Sequence, residues 1–248
     1  MRAYGVGPLA ALGILSLAAG AGCSSKAASP GTTPDDTGSG TDAGAATPAP
    51  DAGATTIDGF PYPSPPYGRS QRSGVTPGSR IQPFQFLGYR NGDPSQGLQT
   101  ISLLDYYDPC GRRIKVLHIS VAAVWCTPCN EETAALTMAQ ASIAGEGVAL
   151  LQALDDGPVE GTGATQADLD GWITKYAPTF SEVLDPGLAN LGAFFPAAEV
   201  PWNADIDPRT MEIIDAETGW AGDVTTELSQ GLSAAQGPPG YPIAVSCN

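Results

Sequence analysis

The sequence predicts an α/β domain: a central β-sheet flanked by helices, with a β extension before it and a long tether before that. Three observations predict it. The run "RIKVLHISVAAVW", ending at Trp125, is rich in β-branched residues and apolar on both faces, as a strand covered on each side must be. The stretch that follows, "CNEETAALTMAQASIAG", brings apolar residues such as Leu136, Met138 and Ile143 round at helical spacing. Strand-like and helix-like patterns then alternate through "GVALLQALDD" and "ADLDGWITKYAP".

Taken from the amino end, residues 1–22 read as an export signal. Arg2 supplies a thin basic region, and "PLAALGILSLAAGAG" is an apolar run too short to span a bilayer comfortably. It stops at Cys23, in "AAGAGCSSK", which resembles the lipobox of bacterial lipoproteins. Ala21 and Gly22 fit that pattern; Gly20 stands where a larger aliphatic residue is usual. Two readings follow. Either Cys23 is acylated and anchors the chain to a membrane, or signal cleavage leaves it as an incidental thiol. Both place the mature protein outside the cytoplasm, in a bacterial periplasm or cell envelope.

Residues 23–74 read as a tether. As far as residue 56 the composition is Ser, Gly, Ala, Thr, Pro and Asp, which cannot offset its own ordering entropy. "FPYPSPPYG" is richer in aromatics and is read either as an extended segment lying on the domain or as a polyproline-type ligand. The domain proper is expected over 75–248. "IQPFQFLGY" and "LQTISLLDYYD" form its first extended pieces, separated by the turn-rich "RNGDPSQG". After the central strand and its helix, "GVALLQALDD" reads as a strand. "ADLDGWITKYAP" reads as a helix opening at Ala167 or Asp168.

The 248 residues carry 26 acidic and 11 basic side chains, a net charge of −15, and only Lys175 and Arg209 are basic after Lys115. Such a surface repels phosphate backbones, which excludes nucleic acid as the main partner; its plain role is solubility.

The five cysteines are Cys23, Cys110, Cys126, Cys129 and Cys247. With Cys23 lipidated, four remain, which is two pairs in an oxidising compartment. Cys126 and Cys129 form the close pair. By elimination Cys110 and Cys247 are left to form a structural disulfide. In "VWCTPCNEETAAL" the first cysteine of the close pair falls where the strand gives way to the helix. Unpaired N–H groups and the positive end of the helix dipole there favour a thiolate, the nucleophile of disulfide exchange. Pro128, in the first turn, has no N–H to leave unsatisfied. Two intervening residues let Cys129 resolve a mixed disulfide formed by Cys126.

"WCTPC" resembles the active-site motif of the thioredoxin superfamily. "WCTPCNEETAAL" is similar to the longer pattern of TlpA/ResA-like extracytoplasmic redoxins, matched at Trp125, Cys126, Pro128, Cys129, Glu132 and Leu136; Ala134 stands where that family has a proline. The likeness extends through "FSEVLDPGLANLGAFF" and "EVPWNADIDPRTMEIIDAETG", about two-thirds of the chain. It implies a thioredoxin-like fold with a central mixed sheet, with strands through Ile206 and Ile214 and a terminal helix around Val224. It also implies a cis bond at Val200–Pro201 packed against the dithiol. By the same resemblance Cys126 attacks, Cys129 resolves, Trp125 shields the pair, and Val200 and Pro201 hold the substrate chain. Cysteine-containing proteins are the implied substrates and a membrane protein the implied redox partner; no cofactor is implied.

One departure concerns the proton. Thioredoxin carries a buried aspartate six residues before the first cysteine, where this chain has Ser120. Glu132 then has two readings: a buried base serving Cys129, or a solvated glutamate favoured by the helix dipole. His118, the lone histidine, reads as a satisfied core residue rather than a catalyst. No metal site is expected, because zinc wants four ligands and the chain has one histidine and no second close CxxC. The alternative to an enzyme is a tethered binding or structural domain with a static Cys126–Cys129 disulfide.

Overall fold

The computed structural model describes residues 59–194 and 199–247; the export signal, Cys23 and the first part of the tether lie outside the described residues. The central strand, β3 (Val116–Ala123), is buried at all eight positions. Around it the chain runs through β1 (Gln85–Tyr89) and β2 (Gln99–Ser102) before it. After it come α1 (Thr127–Gly145), β4 (Val148–Asp156), α2 (Gln166–Tyr176), β5 (Ser181–Leu184), β6 (Trp202–Asp207), β7 (Glu212–Thr218) and α3 (Val224–Ala235). The seven strands form one mixed sheet in the order β2-β1-β5-β4-β3-β6-β7. β3, β4 and β5 are parallel neighbours, joined through α1 and α2, since parallel strands need a crossover. β6 returns antiparallel to β3, β7 antiparallel to β6, and β1 adds antiparallel to β5. The β1–β2 hairpin is thus the β extension, grafted on one edge.

Side chains alternate along a strand, so β3 presents two different surfaces. Leu117, Ile119 and Val121 join Leu151, Trp202 and Ile206 in the larger core, closed by Ile81, Phe86, Tyr107 and Phe194. On the other face Val116 packs with Leu136, Ile143 and Leu228. Ala122 packs there with both close-pair cysteines, Leu169 and Trp172. Between these two apolar clusters the same face carries His118 and Ser120, and it is here that the site is built.

Two local expectations are corrected. Met138 is 88% exposed: two residues from buried Leu136 is 200° round a helix, which turns it away from the sheet. α2 begins at Gln166, a residue early, because Thr165 and Asp168 cap it reciprocally, Thr165 Oγ1 accepting from the Asp168 N–H and Asp168 from the Thr165 N–H.

Packed chain begins upstream of Val75. Phe60 and Tyr62 lie against the larger core, and the Tyr62 hydroxyl donates to the Ile81 carbonyl at 3.0 Å. Arg72 donates to both oxygens of buried Glu212, at 2.9 and 2.5 Å, and the N–H groups of Gly78 and Gly240 each reach it at 2.9 Å. Burial alone would raise the Glu212 carboxyl, but Arg72 and these N–H groups outweigh it and hold the group below its ordinary value. One side chain of β7 therefore ties the arm before the sheet to the tail after α3. Cys110 is bonded to Cys247, with Cα atoms 5.5 Å apart, which fixes the same tail.

Gly231 shows how closely α3 sits on the sheet: a Cβ there would stand 1.8 Å from Asp205 Oδ2. In an open helix Gly→Ala stabilises by about 0.5–1 kcal/mol. Here Gly231→Ala is expected to destabilise by about 1–3 kcal/mol, as overpacking does, measured by urea unfolding. A gain in stability would mean that α3 does not approach β6 this closely.

Candidate active site

Cys126 occupies the N-cap position of α1. It has extended backbone, and its sulfur accepts from the Cys129 N–H at 3.1 Å. Pro128 lies exposed in the first turn, where its missing N–H costs nothing. The two sulfurs are bonded to each other, with Cα atoms 5.3 Å apart. The Val200–Pro201 peptide is cis, and the Val200 carbonyl lies 3.6 Å from the Cys126 sulfur. Thus the helix start and the loop before β6, 74 residues apart in sequence, meet at one sulfur.

An accessible sulfur at Cys126 is not what the fold provides. The residue is 2% exposed, packed with Val124 and Val200 and with Ala122 and Ala123 beneath. Cys129 is wholly buried. Two opposed effects therefore act on a Cys126 thiolate: helix N–H groups favour it, while apolar surroundings oppose it. Trp125 is 38% exposed and donates its indole N–H to Asp156 Oδ2 at 3.3 Å, which fastens the ring to the end of β4.

Below the dithiol runs a seam of buried polar groups. Glu132, one turn past Cys129 on α1, is 0% exposed, so it is not the solvated first-turn glutamate of one earlier reading. Ser120 Oγ donates to its Oε1 at 2.9 Å and in turn accepts from Gln152 Nε2 at 3.2 Å. The Gln152 carbonyl oxygen accepts the Trp172 indole N–H at 2.9 Å. Thr133 Oγ1 stands 2.8 Å from the Cys129 carbonyl and 3.0 Å from Gln152 Oε1, one hydrogen shared between two acceptors. Burial pushes the Glu132 carboxyl up to about 8. Glu227 adds to the rise, and His118, Ser120 and Asn203 oppose it.

His118 is only half satisfied. Its Nδ1 lies 2.9 Å from Asp205 Oδ1, while Nε2 has no hydrogen-bond partner. Its pKa is raised on balance: burial lowers it, but the Asp205 bond and charge, with Glu132 and Glu227, prevail. Glu227, on α3, accepts the Ala221 N–H through Oε2 at 3.2 Å and is pushed up to about 7, mainly by burial. One ligand-type atom each of His118, Glu132 and Glu227 comes within 4.8 Å of the others, so these three side chains could hold a metal.

None of His118, Asp205, Gln152 or Glu227 was assigned to the site by sequence reasoning. The available signal was polar residues at alternate positions, His118 with Ser120 on a strand otherwise apolar, and Asn203 with Asp205 and Asp207 on the strand beside it.

A strand–helix–strand unit whose helix is capped by the first cysteine of a CxxC has the arrangement of the thioredoxin fold. Here β3, α1 and β4 supply it, and the cis Val200–Pro201 bond lies against the same sulfur. The fold is thioredoxin-like.

No protein-family profile matches this chain, and no curated protein resembles it in sequence. Among solved structures, the thioredoxin-like domain is similar to a candidate thiol:disulfide interchange protein DsbE from Chlorobium tepidum. The identity is 19% over 66% of this chain and 100% of that one, with a TM-score of 0.49. A secreted thiol-disulfide isomerase from Corynebacterium glutamicum gives 17% over 72% and 98%, TM-score 0.48. A thioredoxin-family thiol:disulfide interchange protein from Chlorobium tepidum gives 14% over 67% and 99%, TM-score 0.47. Identities and scores this low leave the fold assignment to rest on the chain's own topology.

Beside the site, Asp155 at the end of β4 is buried next to Asp156, and burial followed by the Asp156 charge pushes it up to about 7 from 3.8. The folded state therefore holds this proton more tightly than the unfolded chain, and stability falls as pH rises from about 4 to about 7. Asp155→Asn is expected to remove roughly 2 kcal/mol of that fall, allowing for partial solvent screening. Chemical unfolding at pH 4.5, 6 and 7.5 measures it; an unchanged slope in the variant would place the proton elsewhere.

Proposed function

We propose that the chain is an extracytoplasmic thiol–disulfide oxidoreductase acting on cysteine-containing proteins. The observation that carries this is the meeting of three elements at one sulfur: the α1 N-terminus, Cys129, and the Val200–Pro201 loop. With the pair reduced, the Cys126 thiolate attacks a substrate disulfide, forming a mixed disulfide and releasing one substrate thiolate. Cys129, deprotonated, then attacks the Cys126 sulfur, closes the internal disulfide and expels the second substrate thiolate. Two electrons pass to the substrate, and the proton from Cys129 leaves through Glu132, a buried carboxyl one helical turn away. Run backwards, the same steps oxidise a substrate dithiol. In the reduced pair the Cys126 thiol can donate to the Val200 carbonyl, which the disulfide cannot.

The tether, with acylated Cys23 at its head, would hold the domain at the membrane beside a redox partner protein. The Cys110–Cys247 disulfide supports an oxidising compartment, where such bonds persist. With Cys126 enclosed, exchange requires residues 199–201 to move aside, and a substrate chain binding along Val200 and Pro201 would move them.

That same enclosure favours a second reading, in which Cys126–Cys129 is a static staple in a binding domain. A redox titration separates the two. An exchanging couple is expected between about −120 and −270 mV and a resistant structural disulfide below about −300 mV. Cys129→Ser should accumulate mixed disulfides on Cys126, and Glu132→Gln should slow their resolution about a hundredfold. A potential below the exchanging range, with no adducts trapped in the Cys129→Ser protein, would leave the staple reading standing.

A further inference from the structure

Between β3, α1 and α3 lies a set of buried polar atoms, of which the proposed redox chemistry uses only Glu132. His118 is 1% exposed, Glu132 0% and Glu227 3%, and each is held at one atom and bare at another. His118 Nδ1 faces Asp205, leaving Nε2 unpartnered; Ser120 holds Glu132 Oε1, leaving Oε2; the Ala221 N–H holds Glu227 Oε2, leaving Oε1. Buried polar atoms without partners are rare, because each forfeits its hydration for nothing. Three in one place, with atoms of these residues within 4.8 Å of each other, need a common explanation.

The way they are held gives one. A carboxylate on one imidazole nitrogen fixes the tautomer with the proton on that side and turns the other nitrogen's lone pair outward. This is the arrangement that supports histidine as a metal ligand. Asp205 does this to His118 at 2.9 Å. The anchored oxygens of Glu132 and Glu227 fix those carboxylates in the same manner. Asn203 Oδ1 and Asp205 Oδ2, also unpartnered, line or adjoin the cluster, and a cavity of about 10 Å³ opens beside it between His118, Asn203 and Glu227. That is room for roughly one water or ion. No arginine or lysine pairs with any of the three ligands among the described residues.

We infer that His118 Nε2, Glu132 Oε2 and Glu227 Oε1 bind one divalent transition-metal cation, with a water from the adjoining cavity completing the coordination. One imidazole and two carboxylates suit zinc or its first-row neighbours, and two carboxylates neutralise the ion's charge. Ligand-type atoms all within 4.8 Å of one another put a central ion no farther than about 2.8 Å from each, against about 2.0–2.2 Å for zinc–nitrogen and zinc–oxygen bonds. Small side-chain rotations close that gap. Two of the three ligands are carboxylates from separate elements, so the site needs neither a second histidine nor a second close CxxC. The inference does not depend on the redox reading: over a static disulfide the ion would bind alike, and in an exchanging enzyme it would compete with the Cys129 proton for Glu132 Oε2.

The test uses the oxidised full chain, stripped with chelator and alkylated so that no free thiol competes. Calorimetric titration with zinc chloride is expected to show one ion per chain at a Kd below about 1 µM, with a melting temperature raised by several degrees. Glu227→Gln should weaken binding by more than about tenfold, and Asp205→Asn by about tenfold to a hundredfold, as outer-shell partners of metal-bound histidine do. X-ray absorption on the wild-type zinc form, which needs no variant to fold, should show nitrogen and oxygen neighbours only. Sulfur in the first shell, affinity no tighter than about 0.1 mM, or equal binding by folded Glu227→Gln would overturn the site; the last two would mark loose association with an acidic surface.

Discussion

Removing water from the helix-facing side of β3 is the constraint on which the rest depends. A strand buried at all eight positions is easily made from valine, leucine, isoleucine and alanine, but this one also carries His118 and Ser120. Once α1 and α3 close over them, every polar atom in the seam must find a partner or give up its charge. Ser120 with Glu132, Gln152 with Trp172, and His118 with Asp205 are the partners found. Where partners run out, the carboxyl groups rise toward neutral pH, as Glu132 and Glu227 do.

The dithiol inherits this dryness. Placing Cys126 at a helix N-cap supplies N–H groups to a thiolate, yet the Val200 carbonyl and the surrounding apolar side chains shut water out. A sulfur so enclosed is covered by the loop before β6. In the proposed exchange the enclosure would make the neighbouring Glu132 carboxyl useful, because a proton leaving Cys129 would meet no solvent.

Elsewhere the fold spends its few cations on structure. Arg72 binds Glu212, and Arg209 reaches Asp207 and the carbonyls of Ala235 and Gly237. Both serve to close the arm before the sheet and the tail after α3 onto β6 and β7. With Arg80 stacked over Tyr241 at 4.0 Å, these contacts give the thioredoxin-like core an outer layer made of its own ends.

By itself the sequence showed the run ending at Trp125, the helix after it and the strand and helix that follow, because period and β-branching are local properties; the strands about Ile206 and Ile214 were legible only through the family resemblance. The CxxC at the strand-to-helix junction was equally legible, since three residues of spacing fix its place on the first turn. Only tertiary structure decided what surrounds it. Exposure at Met138, enclosure at Cys126, and the meeting of His118 from β3 with Glu132 from α1 and Glu227 from α3 depend on which faces pack together. No local pattern encodes that, because residues 118, 132 and 227 become neighbours only after the sheet has set its register and two helices have been laid across it.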